Sequence, residues 1–406
     1  MRLERRANFR ISSTAFFIVI MAIIVIMVIT TLPLIVPLTG SQALADPFMS
    51  YPGARAKAMG GAFTGIADDA SAVWYNPAGV AGEEHNLTLE CSQAMTRSND
   101  GGSLGTGSTA WFMGGEYSLD EFGIGLFYYP PYTVRYWAPE PDSDNGAWGK
   151  VNEIIQTISV PFAVSSFDGS LKFGGSLEWV HIGIDGSKIY LRDSETTPGG
   201  KGYSVGKKGA SGFSGSIGAL FTYFATEPWP YKLRFGGVYR LKSATDIGSA
   251  AMRSDSDEAV GLLFYDKPRS YDLGLSLIKD FFSIGSVLIL SAQYGNTDWG
   301  SASKGGEKCE YRKISCGLEF SILRETALLK STHFRLGYYT SQPSAQGQSE
   351  DWRPDVKGIT YGIGVAVGDE LDTLHLDLSQ EQRTLTNGDD FDDTATLTSL
   401  ALSWSF

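Results

Sequence analysis

The chain has 406 residues, of which 43% are hydrophobic and 12% aromatic, and it carries a formal net charge of −12 at pH 7. This balance argues against nucleic acid as a partner, because phosphate binding depends on clustered lysine and arginine side chains. Three cysteines, Cys91, Cys309 and Cys316, are an odd number and do not describe a disulfide framework.

The amino terminus has the features of a secretory signal. Four arginines precede an apolar run over 14–32, and Ala43-Leu44-Ala45 supplies the small residues that a signal peptidase reads. An uncleaved inner-membrane anchor is the alternative, since the run is nearly long enough to span a bilayer as a helix. Two prolines and a glycine interrupt the helix before the cleavage site, which favours a cleaved signal peptide over 1–45.

A glycine- and alanine-rich stretch follows, GARAKAMGGAFTGIADDASAVWYNPAG, from Gly53 to Gly79. Residues without bulky side chains let one backbone approach another closely. Asn76-Pro77 and Gly79 indicate a turn at its end, because the residue before proline avoids the helical region and glycine accepts positive φ. The stretch therefore predicts a compact plug within residues 46–85.

From Asn86 to Phe406 apolar and polar residues alternate with a period of two, which predicts β-strands. In the last of them Phe406, Trp404 and Leu402 share one face, while serines occupy the other. Apolar-out and polar-in is typical of a membrane barrel, although a soluble sandwich also alternates. A membrane barrel is distinguished from a soluble sandwich by its longer strands and by short connections at one end and longer ones at the other.

The pattern predicts fourteen strands, most of them at least as long as the roughly 9–11 residues that a tilted spanning strand needs. Their predicted bounds are 86–97, 107–118, 121–134, 151–167, 170–184, 210–225, 231–243, 268–280, 283–298, 306–322, 330–342, 356–369, 371–384 and 393–406. Short and mostly longer connections alternate, as in outer-membrane barrels. The predicted fold is all-β: a 14-stranded antiparallel transmembrane β-barrel over 86–406, closed by pairing of its first and last strands, with its lumen plugged by residues 46–85.

The plug, with Asn76-Pro77-Ala78 as an Asn-Pro-Ala motif, resembles the N-terminal hatch of the outer-membrane long-chain fatty-acid transporter family (FadL/TodX-like). This resemblance implies fourteen strands behind a hatch, an outer-membrane location among outer-membrane lipids, and passive uptake of hydrophobic compounds such as long-chain fatty acids or hydrocarbons. Phe406 also looks like the carboxy-terminal signal read by barrel assembly machinery.

Two successive prolines, Pro130 and Pro131, lie in the third predicted strand. They remove two backbone N–H hydrogen-bond donors from the barrel wall. Family members are similar in having a kink in the third strand that makes a lateral exit for substrate, so the resemblance implies a lateral opening here. The alternative is that Pro130 begins a loop, with the neighbouring tyrosines at the membrane interface.

Because successive side chains of a strand point to opposite faces, the alternation predicts that several charged side chains face the lumen, among them Arg234, Arg240 and Arg335. Charges on the lipid face would cost about 2–4 kcal/mol each near the midplane. These arginines either belong to an ion-pair network that holds plug and wall together, which buried charges generally require, or bind the carboxylate of a ligand.

Signals for catalysis are poor, since the sequence contains no Gly-x-Ser-x-Gly elbow, His-Glu-x-x-His pair or complete P-loop. We therefore predict no enzyme, no catalytic residues, no metal and no cofactor. One alternative function is an outer-membrane partner protein of a secretion or surface-attachment system, which the hatch fits equally well. A barrel-embedded lipid hydrolase would need a serine-histidine pair on the outer wall, and the sequence identifies none.

Overall fold

The computed structural model describes the chain over the following residues: 51–82, 85–98, 104–119, 121–138, 148–166, 168–185, 187–191, 201–205, 208–225, 231–245, 252–253, 259–260, 266–301, 310–324, 329–343, 355–368, 372–386 and 392–406. The predicted signal peptide over 1–45 lies outside them.

The helices are short: α1 (Ala54–Ala58), α2 (Ala72–Tyr75) and 3₁₀ turns at Pro77–Val80, Phe282–Ile284 and Trp299–Ser301. Within the described ranges, no helix has both the length and the apolar character needed to cross a membrane.

Eighteen strands are found in the described ranges: β1 (Asn86–Ser98), β2 (Leu104–Leu119), β3 (Phe122–Ala138), β4 (Trp148–Ser165), β5 (Leu171–Asp185), β6 (Ser187–Leu191), β7 (Lys201–Val205), β8 (Lys208–Ala225), β9 (Tyr231–Arg240), β10 (Met252–Arg253), β11 (Ala259–Val260), β12 (Arg269–Phe281), β13 (Ser286–Asp298), β14 (Glu310–Leu323), β15 (Leu329–Pro343), β16 (Asp355–Gly368), β17 (Thr373–Thr386) and β18 (Asp392–Ser405).

Fourteen of these strands form a closed antiparallel β-barrel, as the sequence predicts. Each of β1–β5, β8, β9 and β12–β18 pairs with its neighbours along the chain, and β1 pairs with β18 from Asn86↔Ser405 to Ser98↔Asp393. This pairing leaves no open sheet edge at the two ends of the chain. The fourteen-stranded prediction is confirmed, and each strand lies where the alternation placed it.

Two connections that the sequence presents as loops contain strands of their own. β6 and β7 pair with each other, and β6 continues the sheet along the start of β4. β10 and β11 form a separate two-stranded sheet. The β-branched and aromatic residues of β6 and β7, such as Ile189 and Tyr203, favour strand over loop.

The outer face of the barrel is apolar. Leu177 is 68% exposed and Phe213 is 75% exposed, and exposed leucine, isoleucine and phenylalanine side chains recur on nearly every barrel strand. The opposite face carries glycine, serine and paired charges. Contiguous exposed apolar surface of this extent is not typical of a protein in water.

Residues 51–82, named here the inner segment, lie within the barrel. Helix α1 packs against β15, β16 and β17. The Pro77–Val80 turn packs against β4, β5 and β8, on the opposite side of the barrel. The inner segment is almost wholly buried, and its Phe63, Ile66 and Trp74 belong to one apolar cluster with inward side chains of the wall.

Glycines of the wall make room for this packing. A Cβ atom at each of eight inward glycines would come closer than 3.0 Å to the inner segment, at Gly123, Gly174, Gly218, Gly236, Gly274, Gly317, Gly337 and Gly362. At Gly236 the atom that would be overlapped is the backbone carbonyl of Thr64, which cannot rotate away. The absence of a side chain at these positions lets the backbone of the inner segment lie against the wall.

Substitution of two adjacent glycines tests this packing. We expect Gly236→Ala to lower the free energy of unfolding by about 1–3 kcal/mol, because the new methyl group collides with the Thr64 backbone. Gly237→Ala is the matched control, since its Cβ would meet only Leu273 Cδ2, at an ordinary 3.5 Å. Urea unfolding in lipid vesicles measures both, and equal losses would contradict the close approach.

Candidate functional site

The Asn-Pro-Ala motif anchors the end of the inner segment. The Asn76 side-chain oxygen accepts from the Ala78 N–H at 3.2 Å and caps the turn Pro77–Val80, whose proline fits the first helical position. Its amide nitrogen donates to the carbonyls of Thr64, at 3.2 Å, and Ala219 of β8, at 2.9 Å. Asn76 therefore joins two parts of the inner segment to the wall.

The three predicted lumen arginines also contact the inner segment or the carboxylates around it. Arg234 donates to the Ile66 carbonyl at 3.1 Å. Arg240 donates to the Trp74 carbonyl at 2.6 and 3.0 Å and binds Asp272 at 2.6 Å. The guanidinium of Arg240 also lies 4.5 Å from the centre of the Trp74 ring, an arrangement that adds cation–π attraction.

Arg335 belongs to a buried network around Glu319. It binds Glu319 and Asp377, each at 2.5 Å. Arg55 of the inner segment binds the same Glu319 with two nitrogens, at 2.8 and 3.0 Å, and reaches Asp68 at 2.6 Å. Glu319 thus lies between one arginine of the wall and one of the inner segment.

A second buried pair fixes the start of the inner segment, and the sequence alone did not single it out. Lys57 binds Glu90 at 2.5 Å, and Glu90 accepts from the Gly53 N–H at 2.7 Å. The alternation of β1 predicts that the Glu90 side chain faces inward. Its partner Lys57 could not be predicted, because the inner segment has no periodic pattern.

The backbone pairing of the barrel wall changes near Pro130 and Pro131. The ladder between β2 and β3 runs from Leu119↔Phe122 to Met113↔Tyr128 and ends there, although β2 begins at Leu104 and β3 continues to Ala138. The pairing of β3 with β4 shifts register between Tyr129 and Tyr132. The two prolines therefore lie where β2 and β3 stop pairing, and β3 continues through them.

Aromatic side chains connect this place to the inner segment. The aromatic row consists of Tyr51, Trp74, Tyr129, Phe112 and Phe127, whose successive ring centres are 5.5, 5.9, 6.4 and 5.8 Å apart. Except for Tyr51 these side chains are at most 4% exposed. The row leads from the middle of the barrel to the end of the β2–β3 ladder.

In the described part of the chain no group of three or more histidine, cysteine, aspartate or glutamate side chains is arranged to hold a metal ion. Cys91 and Cys316 are unbridged, and Cys309 lies outside the described residues.

Several solved structures resemble this arrangement. The toluene transporter TodX of Pseudomonas putida aligns with a TM-score of 0.58 at 15% identity, over 88% of this chain and 99% of TodX. A FadL homologue of Pseudomonas aeruginosa aligns with a TM-score of 0.58 at 12% identity, over 91% and 99% of the two chains. The chain has the FadL/TodX fold.

The toluene transporter TbuX of Ralstonia pickettii shares the FadL/TodX fold as well, with a TM-score of 0.58 at 15% identity over 89% of this chain and 98% of TbuX. No protein-family model and no curated protein sequence matches the chain.

The Glu319 network generates a stability prediction. We expect Glu319→Gln to lower the free energy of unfolding by about 3–5 kcal/mol, because Arg55 and Arg335 would remain buried beside a neutral group. Asp298→Asn is the control, since its partner Arg269 is 55% exposed and such pairs contribute at most about 1 kcal/mol. Chemical denaturation compares the two variants, and similar small losses would contradict the assigned role of Glu319.

Proposed function

We propose that the protein is an outer-membrane channel for passive uptake of hydrophobic compounds, such as long-chain fatty acids or hydrocarbons. The observation that carries this proposal is the unpaired stretch between β2 and β3, which the aromatic row connects to Trp74 inside the barrel. An apolar ligand is expected to follow such a row, because aromatic side chains offer large apolar contact area.

The apolar outer face supports placement of the barrel in a membrane. The barrel strands are 10–18 residues long, enough for tilted strands to cross the hydrocarbon core. Outside the unpaired β2–β3 stretch, the closed pairing satisfies the backbone groups that a wall in lipid must pair. By analogy with other outer-membrane barrels, the longer connections face the outside of the cell.

In this proposal residues 46–85 are the hatch, of which the inner segment is the described part. The bonds of Asn76, with Pro77 and Ala78 beside it, fix one end of the hatch to β8. We assign Arg234, Arg240 and Arg335 to holding the hatch, because their guanidinium groups bind carbonyls and carboxylates of the protein. Direct ligand contact by these arginines is the alternative.

In the proposed route the ligand enters from the side of the longer connections, moves along the aromatic row and leaves between β2 and β3 into the outer leaflet. Pro130 and Pro131 keep this opening, because neither can donate a backbone hydrogen bond to β2 or β4. The structural neighbours named as toluene transporters and as a monoaromatic hydrocarbon channel support this ligand class. None of these named neighbours is described as a secretion partner.

The membrane placement predicts a position-dependent cost of charge. We expect Leu177→Arg, in the middle of β5, to destabilise the barrel in lipid by about 2–4 kcal/mol, since the charge would lie in hydrocarbon. Phe282→Arg is the control, because this 79%-exposed residue lies in a short connection and interfacial charge costs about 0–1 kcal/mol. Unfolding of both variants in vesicles measures the difference; equal costs would place β5 in water.

Uptake tests the function itself. Cells carrying the protein should accumulate labelled dodecane and dodecanoate faster than cells lacking it, and the double variant Pro130→Ala/Pro131→Ala should lose most of this gain. The substitutions give β3 two donors with which to extend the ladder. Pro161→Ala on β4 is the control proline variant and should keep uptake. Equal uptake with and without the protein would refute the channel.

A further inference from the structure

The rings of the aromatic row touch one another, so that no ligand fits between them in this conformation. Phe112, Phe127 and Tyr129 are each at most 4% exposed. The ring centre of Phe112 lies 5.8 Å from that of Phe127 and 6.4 Å from that of Tyr129, which are contact distances for aromatic pairs. An alkyl chain can therefore pass along the row only after at least one ring has moved.

Tyr129 is the member of the row whose backbone is least constrained by the wall. It lies one residue beyond the last β2–β3 pair, and its pairing with β4 shifts register directly after it, at the two prolines. Its ring lies between those of Trp74, at 5.9 Å, and Phe112, at 6.4 Å. Movement of this one ring would separate the inner half of the row from the half at the gap.

A buried ion pair provides the acceptor for the Tyr129 hydroxyl. This hydroxyl donates to Glu178 of β5 in a long hydrogen bond of 3.5 Å. The same carboxylate accepts from Ser176 at 3.0 Å and binds the Lys267 amine. The Lys267 backbone is itself fixed, because its N–H donates to the Ser243 hydroxyl at 2.9 Å and its carbonyl accepts from the Ser243 N–H at 3.0 Å. Glu178 and Lys267 are almost wholly buried, so each requires the other in place.

Two hydroxyls beside the row lack hydrogen bonds in this conformation. Thr157 and Ser159 of β4 are fully buried, and neither hydroxyl oxygen has a partner among the described residues. Thr157 is paired directly with Tyr129, and Ser159 with Phe127, so each hydroxyl shares the inner face with an aromatic ring beside it. Unpaired buried hydroxyls are unfavourable. They weaken the packed arrangement relative to one in which the neighbouring ring has moved.

We propose that Tyr129 is the gate of the route and that Glu178, held by Lys267, is the positioning residue that keeps the gate closed. On opening, the Tyr129 hydroxyl leaves Glu178 and the ring leaves its place between Trp74 and Phe112, where the apolar ligand then lies. This inference rests on the proposed channel function and adds one requirement to it: passage depends on the movement of a single side chain of the wall.

A thiol placed beside the gate reports its opening. Ser159→Cys is introduced into the full-length protein with its three native cysteines replaced by serine, and modification by a methanethiosulfonate reagent is followed by mass spectrometry in neutral detergent. A buried thiol reacts slowly. We expect Tyr129→Phe to raise the modification rate by about three- to tenfold, the factor that corresponds to loss of one hydrogen bond.

Tyr128→Phe is the matched control, because the Tyr128 hydroxyl lies on the other face of β3, where it accepts from Gln156 at 3.0 Å; it should leave the rate unchanged. A second thiol, Ser315→Cys, separates gating from general loosening. Ser315 is buried on β14, far from the row, and its modification rate should not respond to Tyr129→Phe.

Uptake connects the gate to passage. The initial rate of labelled dodecane uptake should rise in Tyr129→Phe by a similar factor. The double variant Glu178→Gln/Lys267→Met removes the acceptor charge without leaving an unpaired cation. It should raise uptake as well, and adding Tyr129→Phe to it should give no further increase.

Three results would overturn the gate: an unchanged modification rate at position 159 in Tyr129→Phe, an equal increase at position 315, or faster modification without faster uptake. In each case the channel stands if cells carrying the unmodified protein still take up dodecane faster than cells lacking it. Equal uptake by these two kinds of cell refutes the channel itself.

Discussion

Close approach between the inner segment and the wall is the constraint on which the structure depends. Eight inward glycines allow the backbone of residues 51–82 to lie where side chains would otherwise stand. Once the backbone is there, its carbonyl and N–H groups need partners, and Arg240, Gln293 and Thr360 of the wall supply them. The buried charges follow from the same packing, because Arg55 and Lys57 enter the interior with the segment and require Glu319 and Glu90.

Backbone pairing explains why the two prolines lie beside the unpaired stretch between β2 and β3. A wall that meets lipid must satisfy its own N–H and carbonyl groups, so a proline is tolerated where a strand has lost a neighbour or bends. Pro130 and Pro131 lie at such a place, beyond the last β2–β3 pair at Met113↔Tyr128. Because Trp74 of the inner segment lies against Tyr129, packed aromatic side chains connect the interior to the end of the β2–β3 ladder.

Much of the fold could be predicted from the sequence, since alternation over ten or more residues determines both the strand and the face that each side chain occupies. The inward position of Arg335 followed from parity, but the contact of its partner Glu319 with Arg55 did not, because contacts with a segment that lacks periodicity depend on the course of that segment through the barrel. The end of the β2–β3 ladder could be anticipated from two prolines, whereas the row from Trp74 to Phe112 depends on how the inner segment packs against β2 and β3.

Photolabelling of the purified protein with an alkyl diazirine tests most directly whether apolar ligands occupy the path through the barrel. We expect label on the aromatic row, at Trp74, Phe112 or Tyr129, and loss of this label when excess dodecane competes. Label confined to outward side chains such as Leu177 and Phe213, unchanged by dodecane, would contradict it.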